Sequence, residues 1–519
     1  MTDSGVKILW VDDEIEHLRA HILFLKEKGY EVETATNGYD ALDIIKSTFF
    51  DLIFLDENMP GISGLETLTQ LKELRSEIPV IMITKSEEED IMDQAIGNQI
   101  ADYLIKPVNP RQILLSIKKH IDKKELITKT TTSAYQSQFG QIALKINDSF
   151  THKDWVDVYK KLVYWELELE QGDGAMDEVL SMQKNEATQT FTKFIKRNYL
   201  DWLKQPEDAP LLSNNLVKTK VLPQLDAGKK VFFIVIDNFR FDQWEVLKRA
   251  ISSDYLIEDE TPYYSILPTA TQYARNAIFS GLMPSQIKEM YPQYWVDDDS
   301  DEGKNKYEGE LLGTLLERFR KKNSYAYRKI SDGEAGKNLI EELHQLMDND
   351  LNAIVFNFVD MLSHARTEVK MIKELARDEA AYRSLTQSWY MHSSLRELLM
   401  RLKDENVKIV LTTDHGTTRV QNPIKVVGDR NVNTNLRYKQ GKNLSYKTKE
   451  VYDILKPSEA FLPRYNVSTA YIFAGNNDFF AYPNNYNHYV GYYRDTFQHG
   501  GISLEEMIIP CVTLQGRTT

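Results

Sequence analysis

The sequence predicts an α/β multidomain chain: a doubly wound, five-stranded parallel sheet, then a helical bundle, then a second and larger α/β domain. Three observations predict it. Short apolar runs alternate with helical periods through residues 1–122. Residues 123–205 are amphipathic and helical, with no strand alternation. Residues 206–519 contain three runs that are apolar throughout, each leading to an aspartate, as expected of parallel strands covered on both faces.

In the first segment the strand candidates are KILWVDD, YEVETAT, DLIFLDE, IPVIMIT and ADYLIKP. Ile15, Leu18, Ile22 and Leu25 recur at helical spacing and stop at Gly29. Asn37 is a cap for the next helix, and Asn109 followed by Pro110 opens the last one. In the middle segment TKTTTSAYQSQ reads as a polar linker ahead of two long amphipathic helices. The third segment carries KKVFFIVID, NAIVFNFVD and VKIVLTTDHG. Ligands of open parallel sheets bind at the carboxyl ends of strands, so these aspartates predict one convergent site.

Bulk properties exclude several classes. The net charge of −14 argues against a broad grip on nucleic-acid phosphates, and no helix-turn-helix follows the first segment, so no sequence-specific DNA binding is expected. Cys511 is the one cysteine, which leaves no internal disulfide and no thiolate metal cluster. The apolar runs fall short of the ~18 to 20 residues of a membrane helix. No membrane insertion and a cytoplasmic location are expected.

Asp12 and Asp13 end the first predicted strand and Asp56 the third, while Thr84 and Lys106 end the fourth and fifth. All five side chains meet at one sheet edge. Three clustered carboxylates repel unless a hard cation sits among them, and oxygen ligands suit Mg²⁺. These residues, with VDDE, DENMPGISG and DYLIKP, resemble the CheY-like receiver domain of bacterial response regulators. The resemblance implies phosphorylation of Asp56 by a sensor histidine kinase. It implies Mg²⁺ on Asp12 or Asp13, Asp56 and the Asn58 carbonyl, with Thr84 and Tyr103 as the switch pair and Lys106 beside the phosphoryl group. Lys85 departs from the small residue usual after the switch threonine, and its long side chain is expected to shield the phosphoaspartate from water.

The third segment carries a second constellation. Asp360 and His364 stand four apart after a strand, Asp414 and His415 are consecutive, and His499 precedes two glycines. With Asp237 they make three aspartates and three histidines, too many for one tetrahedral ion and suited to two Zn²⁺ at about 4 Å. Thr269 and Thr271 are the candidate nucleophiles, ahead of a helix whose N-terminus favours phosphate. His488 competes for the last ligand position but lacks the glycine context. The set resembles the alkaline phosphatase superfamily, most closely its PglZ-type members. The resemblance implies one zinc on Asp360, His364 and His499, the other on Asp237, Asp414 and His415, and Thr271 as the metal-bound nucleophile. It further implies two-step hydrolysis of a phosphate ester. Spacing to SGLMP matches the phosphodiesterase branch and points to Thr271, with the choice between Thr269 and Thr271 left to the structure, while Gln272 and Tyr273 depart from the bulky residues and proline usual there.

The whole arrangement resembles response regulators that govern type IX secretion and gliding. The resulting expectation is a receiver-controlled zinc phosphodiesterase acting on cyclic or short oligonucleotides. Tyr482, Tyr486, Tyr489, Tyr492 and Tyr493 offer rings for stacking on bases, although packing alone also explains them. Phosphorylation is expected to form a homodimer, and the family implies contact with a sigma factor or the secretion machinery. The rival expectation is a non-catalytic, metal-containing binding module that docks on such machinery.

Overall fold

The computed structural model describes the chain except residues 1–5, 76–77, 86–99, 171, 173, 175, 298–302, 358–377, 429–432, 484–485 and 518–519, and the side chains of 121–129. Asp360 and His364 therefore lie outside the described residues. The chain forms two compact units, one of residues 1–137 and 168–175, the other of 138–167 and 176–519.

The first unit is CheY-like. Strands β1 (Lys7–Val11), β2 (Glu31–Ala35), β3 (Leu52–Asp56), β4 (Val80–Thr84) and β5 (Asp102–Ile105) pair in parallel in the order β2-β1-β3-β4-β5. The central strands β3 and β4 are buried at every position, which is why their sequences show no alternation. Helices α1 (Arg19–Glu27), α2 (Gly38–Ser47), α3 (Gly64–Leu74) and α4 (Pro110–Ile117) cover the sheet. Their starts follow local chemistry. The Asn37 side chain accepts from the Asp40 N–H, Ser63 and Glu66 form a capping box, and Asn109 with Gln112 forms another ahead of Pro110. Each such cap stabilises a helix by about 1 kcal/mol.

Helices α5 (Lys123–Asn147), α6 (His152–Leu169) and α7 (Asp177–Lys204) follow. The stretch Thr128–Gln138 is thus helical, which corrects the linker expected there. Its threonines are weak helix formers, but Tyr135, Ile142 and Ile146 recur at helical spacing and are all buried. Burial of that face outweighs a propensity deficit of a few tenths of a kcal/mol per residue.

The remaining chain is built on β6 (Lys230–Ile236), β7 (Tyr255–Glu260), β8 (Tyr325–Ile330), β9 (Leu351–Phe356), β10 (Val407–Thr412) and β11 (Cys511–Gly516). Their order is β7-β11-β10-β6-β9-β8. The strands β8, β9, β6 and β10 are parallel, while β11 runs antiparallel to both β10 and β7. The three apolar runs singled out in the sequence are therefore neighbours at the centre of the sheet. Their carboxyl ends open on the same edge. No helix among the described residues is long and apolar enough to cross a membrane.

Candidate functional site

In the first unit Asp12, Asp13 and Asp56 present carboxylate oxygens within 4.8 Å of one another. They lie where β1 and β3 diverge, the crevice at which doubly wound sheets bind ligands. Asp12 and Asp56 are buried, while Asp13 and Asn58 are exposed beside them. Lys106 reaches across from the end of β5, its Nζ 2.7 Å from Asp12 Oδ2 and 3.1 Å from Asp56 Oδ2. Burial raises the Asp56 carboxyl above its usual range, and the Lys106 ammonium offsets this only in part. Asp56 Oδ1 is buried without a hydrogen-bond donor among the described residues. A buried carboxylate oxygen of this kind, between two further carboxylates, fits a hard divalent cation. Thr84 ends β4 fully buried, and Tyr103 on β5 packs partly buried against the core that includes Met82. Lys85 extends to Glu14, Nζ to Oε2 3.0 Å, and the two line a cavity of about 430 Å³ with Asp12, His21 and Lys106.

In the second unit the sheet edge gathers Asp237, Asp414 and His415, all buried, with ligand atoms within 4.8 Å of one another. Asp237 follows β6 directly. Asp414 and His415 sit in the bend after β10, so consecutive side chains face one point. Two backbone N–H groups, of Asn238 at 3.1 Å and His415 at 3.0 Å, donate to Asp414 Oδ1. Ser265 Oγ donates to the Asp414 carbonyl at 2.7 Å. Gly416 is required here because a Cβ would fall 2.0 Å from the Glu505 carbonyl oxygen.

Helix α8 (Thr271–Ser280) begins at this cluster. Thr271 Oγ1 lies 3.3 Å from Asp237 Oδ1 and 3.1 Å from His415 Nε2. His415 Nδ1 lies 3.0 Å from the Gly416 carbonyl, which can only accept. The ring proton therefore sits on Nδ1, and Nε2 turns its lone pair toward Thr271. Thr269 is differently placed. It is fully buried, donates to the Gly501 carbonyl at 2.8 Å and accepts from the Gly500 N–H at 3.1 Å. It stitches the 499–501 loop to the segment that carries Thr271.

His499 stacks on His415 with ring centroids 4.3 Å apart, and its Nδ1 lies 3.2 Å from the Thr269 carbonyl. Gly500 has φ +120°, and a Cβ at Gly501 would fall 2.4 Å from the Ala474 carbonyl oxygen, so the two glycines allow the approach. His488 is elsewhere, in the helix Tyr486–Tyr493, where its ring stacks on Tyr492.

Arg275 and Glu308 were not singled out in the sequence. Arg275 lies one helical turn beyond Thr271 and is 1% exposed. Its Nη1 is 2.5 Å from Asp237 Oδ2, its Nε donates to Glu308, and Asp414 Oδ2 is 3.8 Å away. The i, i+4 spacing from Thr271 was the only signal, and an arginine on an apolar helix does not announce its partner. Burial pushes the Asp237 carboxyl up to about 7 against the opposing pull of Arg275, with Asp414 adding to the rise. Three buried carboxylates around one guanidinium favour a further cation, and a carboxylate, imidazole and hydroxyl set without thiols fits zinc.

Residues 8–118 match the response regulator receiver domain, and residues 125–203 match the PorX response regulator linker domain. Over 142 residues the chain is 32% identical to the transcriptional regulatory protein ZraR of Klebsiella oxytoca, covering 27% of this chain and 32% of that protein. It is 37% identical over 115 residues to ResD of Bacillus subtilis, covering 22% of this chain and 48% of that protein. The chain thus spans a third to a half of the length of these relatives. A CheY-like receiver domain structure from Methanospirillum hungatei JF-1 is 34% identical, covering 24% of this chain and 98% of that one, with a TM-score of 0.23. Residues 216–514 match the BREX system PglZ alkaline phosphatase-like domain. With more than half of its length in that match, the chain belongs to the PglZ alkaline phosphatase-like family, here in a response regulator that places a receiver and a PorX-type linker ahead of it.

Proposed function

We propose that the protein is a cytoplasmic response regulator whose effector is a zinc-dependent phosphodiesterase. The observation that carries this reading is the Thr271 hydroxyl, at a helix N-terminus, in hydrogen-bond range of Asp237 and of the acceptor nitrogen of His415. Asp237, Asp414, His415 and Thr271 would hold one zinc, and His499 with Asp360 and His364 a second. Zinc bound there would lower the pKa of a coordinated hydroxyl and neutralise charge on the phosphate.

The chain's own groups supply the rest. Thr271 Oγ1 is the attacking atom. Without metal its proton has an acceptor in Asp237 Oδ1 or His415 Nε2. With those lone pairs taken by a zinc, which lowers the hydroxyl's pKa, the proton would pass to water. A phosphate at Thr271 would lie at the N-terminus of α8, whose first-turn N–H groups favour its charge. Arg275 fixes one oxygen of Asp237, which keeps the other turned to Thr271. Thr269, with both of its hydrogen bonds committed to the loop, positions rather than attacks.

For the substrate we favour cyclic or short oligonucleotides, and the exposed rings of Tyr489 and Tyr492 support stacking on bases. In the receiver, Asp12 or Asp13, Asp56 and the Asn58 carbonyl would hold a Mg²⁺ that neutralises charge as a sensor histidine kinase phosphorylates Asp56. Thr84, Tyr103 and Lys106 then respond, and the output is type IX secretion and gliding through a sigma factor or the secretion machinery.

Elemental analysis and a panel of chromogenic diesters, monoesters, cyclic dinucleotides and short oligonucleotides test the enzyme. Diester turnover should need zinc and fall about 10³-fold or more in Thr271→Ala, with zinc retained. Equal turnover in wild type and Thr271→Ala, or a chain that takes up no zinc, overturns it.

A further inference from the structure

The segment that presents Thr271 is not held by the PglZ-matched region alone. It runs from Tyr264 to Ala270, and three of its anchors lie before residue 216. Tyr264 Oη donates to the His152 carbonyl at 2.8 Å. The Ile266 N–H donates to Ser213 Oγ at 3.1 Å. The Leu267 N–H donates to Tyr199 Oη at 2.8 Å. All of these groups are in the second unit, and Tyr199 is fully buried on α7. Tyr264 also packs edge-on against Trp202, ring centroids 5.5 Å apart, on the same helix.

Helix α7 reaches the opposing loop too. Thr192 Oγ1 donates to the Thr188 carbonyl of its own helix at 2.9 Å and accepts from the Asn476 N–H at 3.3 Å, next to Gly475, which bridges to Ile502. Ile502 is three residues from His499. Thr269 then ties the two loops together through Gly500 and Gly501. One helix outside the PglZ-matched region therefore touches the nucleophile segment through Tyr199 and Trp202 and the strand beside the opposing loop through Thr192.

We infer that α7 is a positioning element for the candidate site, and that Tyr199 is a positioning residue holding the nucleophile segment at Leu267. Thr192 reaches the 499–502 loop indirectly, by holding the Asn476 N–H beside the Gly475–Ile502 bridge. The inference rests on the reading of Thr271 as nucleophile, but the contacts it names can be tested without turnover. An unpaired Leu267 N–H would seek water, and the segment would sample positions in which the Thr271 oxygen leaves the reach of Asp237 and His415. Catalysis depends on such alignment more steeply than binding does.

The full-length, zinc-loaded chain is compared with Tyr199→Phe, Thr192→Val and, as a control, Tyr164→Phe, an exposed tyrosine on α6. Tyr199→Phe keeps the ring and loses only the hydroxyl. Amide exchange should quicken at residues 264–267 in Tyr199→Phe and at residue 476 in Thr192→Val, and nowhere in the control. With a chromogenic diester, kcat should fall about tenfold in Tyr199→Phe while KM and zinc content stay within twofold. A general loss of stability would instead quicken exchange throughout and move zinc content with it. Unchanged exchange at 264–267 in Tyr199→Phe overturns the inference. If the wild-type chain hydrolyses nothing in the panel, the enzyme reading fails, and the exchange data still decide the role of α7.

Discussion

Arg275 holds Asp237 with a 2.5 Å contact from Nη1 to Oδ2, one helical turn past Thr271 and inside the same buried cluster. The guanidinium stands between Asp237 and Glu308 and touches both. Removing it leaves two carboxylates buried without their counter-charge. Arg275→Ala should lower stability by about 3 to 5 kcal/mol in the metal-free chain, read from urea unfolding. Added zinc should recover part of that loss, because a cation again sits beside Asp237. An unchanged midpoint would show that the carboxyls simply take up protons.

Lys85 projects over the receiver crevice and is tied to Glu14. It lines the same cavity as Asp12 and Lys106, where its long side chain would narrow the access of water to a phosphoaspartate. Lys85→Ala should shorten the lifetime of phosphorylated Asp56 severalfold, measured as phosphate release after labelling with a small acyl phosphate. Equal rates in the two proteins would refute the shielding role.

Phosphorylation is expected to assemble two copies through the receiver. Sedimentation of the chain with beryllofluoride and Mg²⁺ should show twice the mass of the untreated chain, and Asp56→Asn should stay at the lower mass. A mass that never changes removes this step.

Lys439 gives a pH dependence that does not involve the clusters. It is 1% exposed, donates to the Asn433 carbonyl at 2.8 Å and lies over the Tyr482 ring. Burial pushes its ammonium down to about 7 from an ordinary value of 10.5. The unfolded chain then binds more protons than the folded one between those two values, so this group makes stability rise with pH across that window. The cost of burying the charge is full below pH 7 and gone near pH 10. Lys439→Met should therefore raise the unfolding midpoint more at pH 6 than at pH 10. A shift of equal size at both values would place the charge elsewhere.

Much of the fold was legible because its strands are buried on both faces. β3, β6, β9 and β10 read as apolar runs broken inside only by Asn352 and Lys408, and the caps at Asn37, Ser63 and Asn109 act over three residues of chain. The TKTTTSAYQSQ stretch was misread for the converse reason. Its composition is that of a linker, and it is helix as part of one continuous helix anchored by buried Tyr135 and, past the stretch, by buried Ile142 and Ile146. The antiparallel strand β11 between β7 and β10 was likewise invisible, since pairing direction is not written in a strand's own residues.

The sequence by itself determined the residue types of both clusters, because strand ends, a DHG turn and an HGG loop are local patterns with local causes. It placed Asp12, Asp13, Asp56 and Lys106 at one edge, and it nominated Asp237, Thr271, Asp414 and His415 for another. Only the tertiary structure decided which hydroxyl faces the carboxylates, that Thr269 is a stitch, and that Arg275 supplies the buried counter-charge. Only it brought Tyr199, 68 residues upstream, against Leu267. Such choices depend on the distance between atoms far apart in the chain, and that distance is set by how the elements pack rather than by any residue's neighbours in sequence.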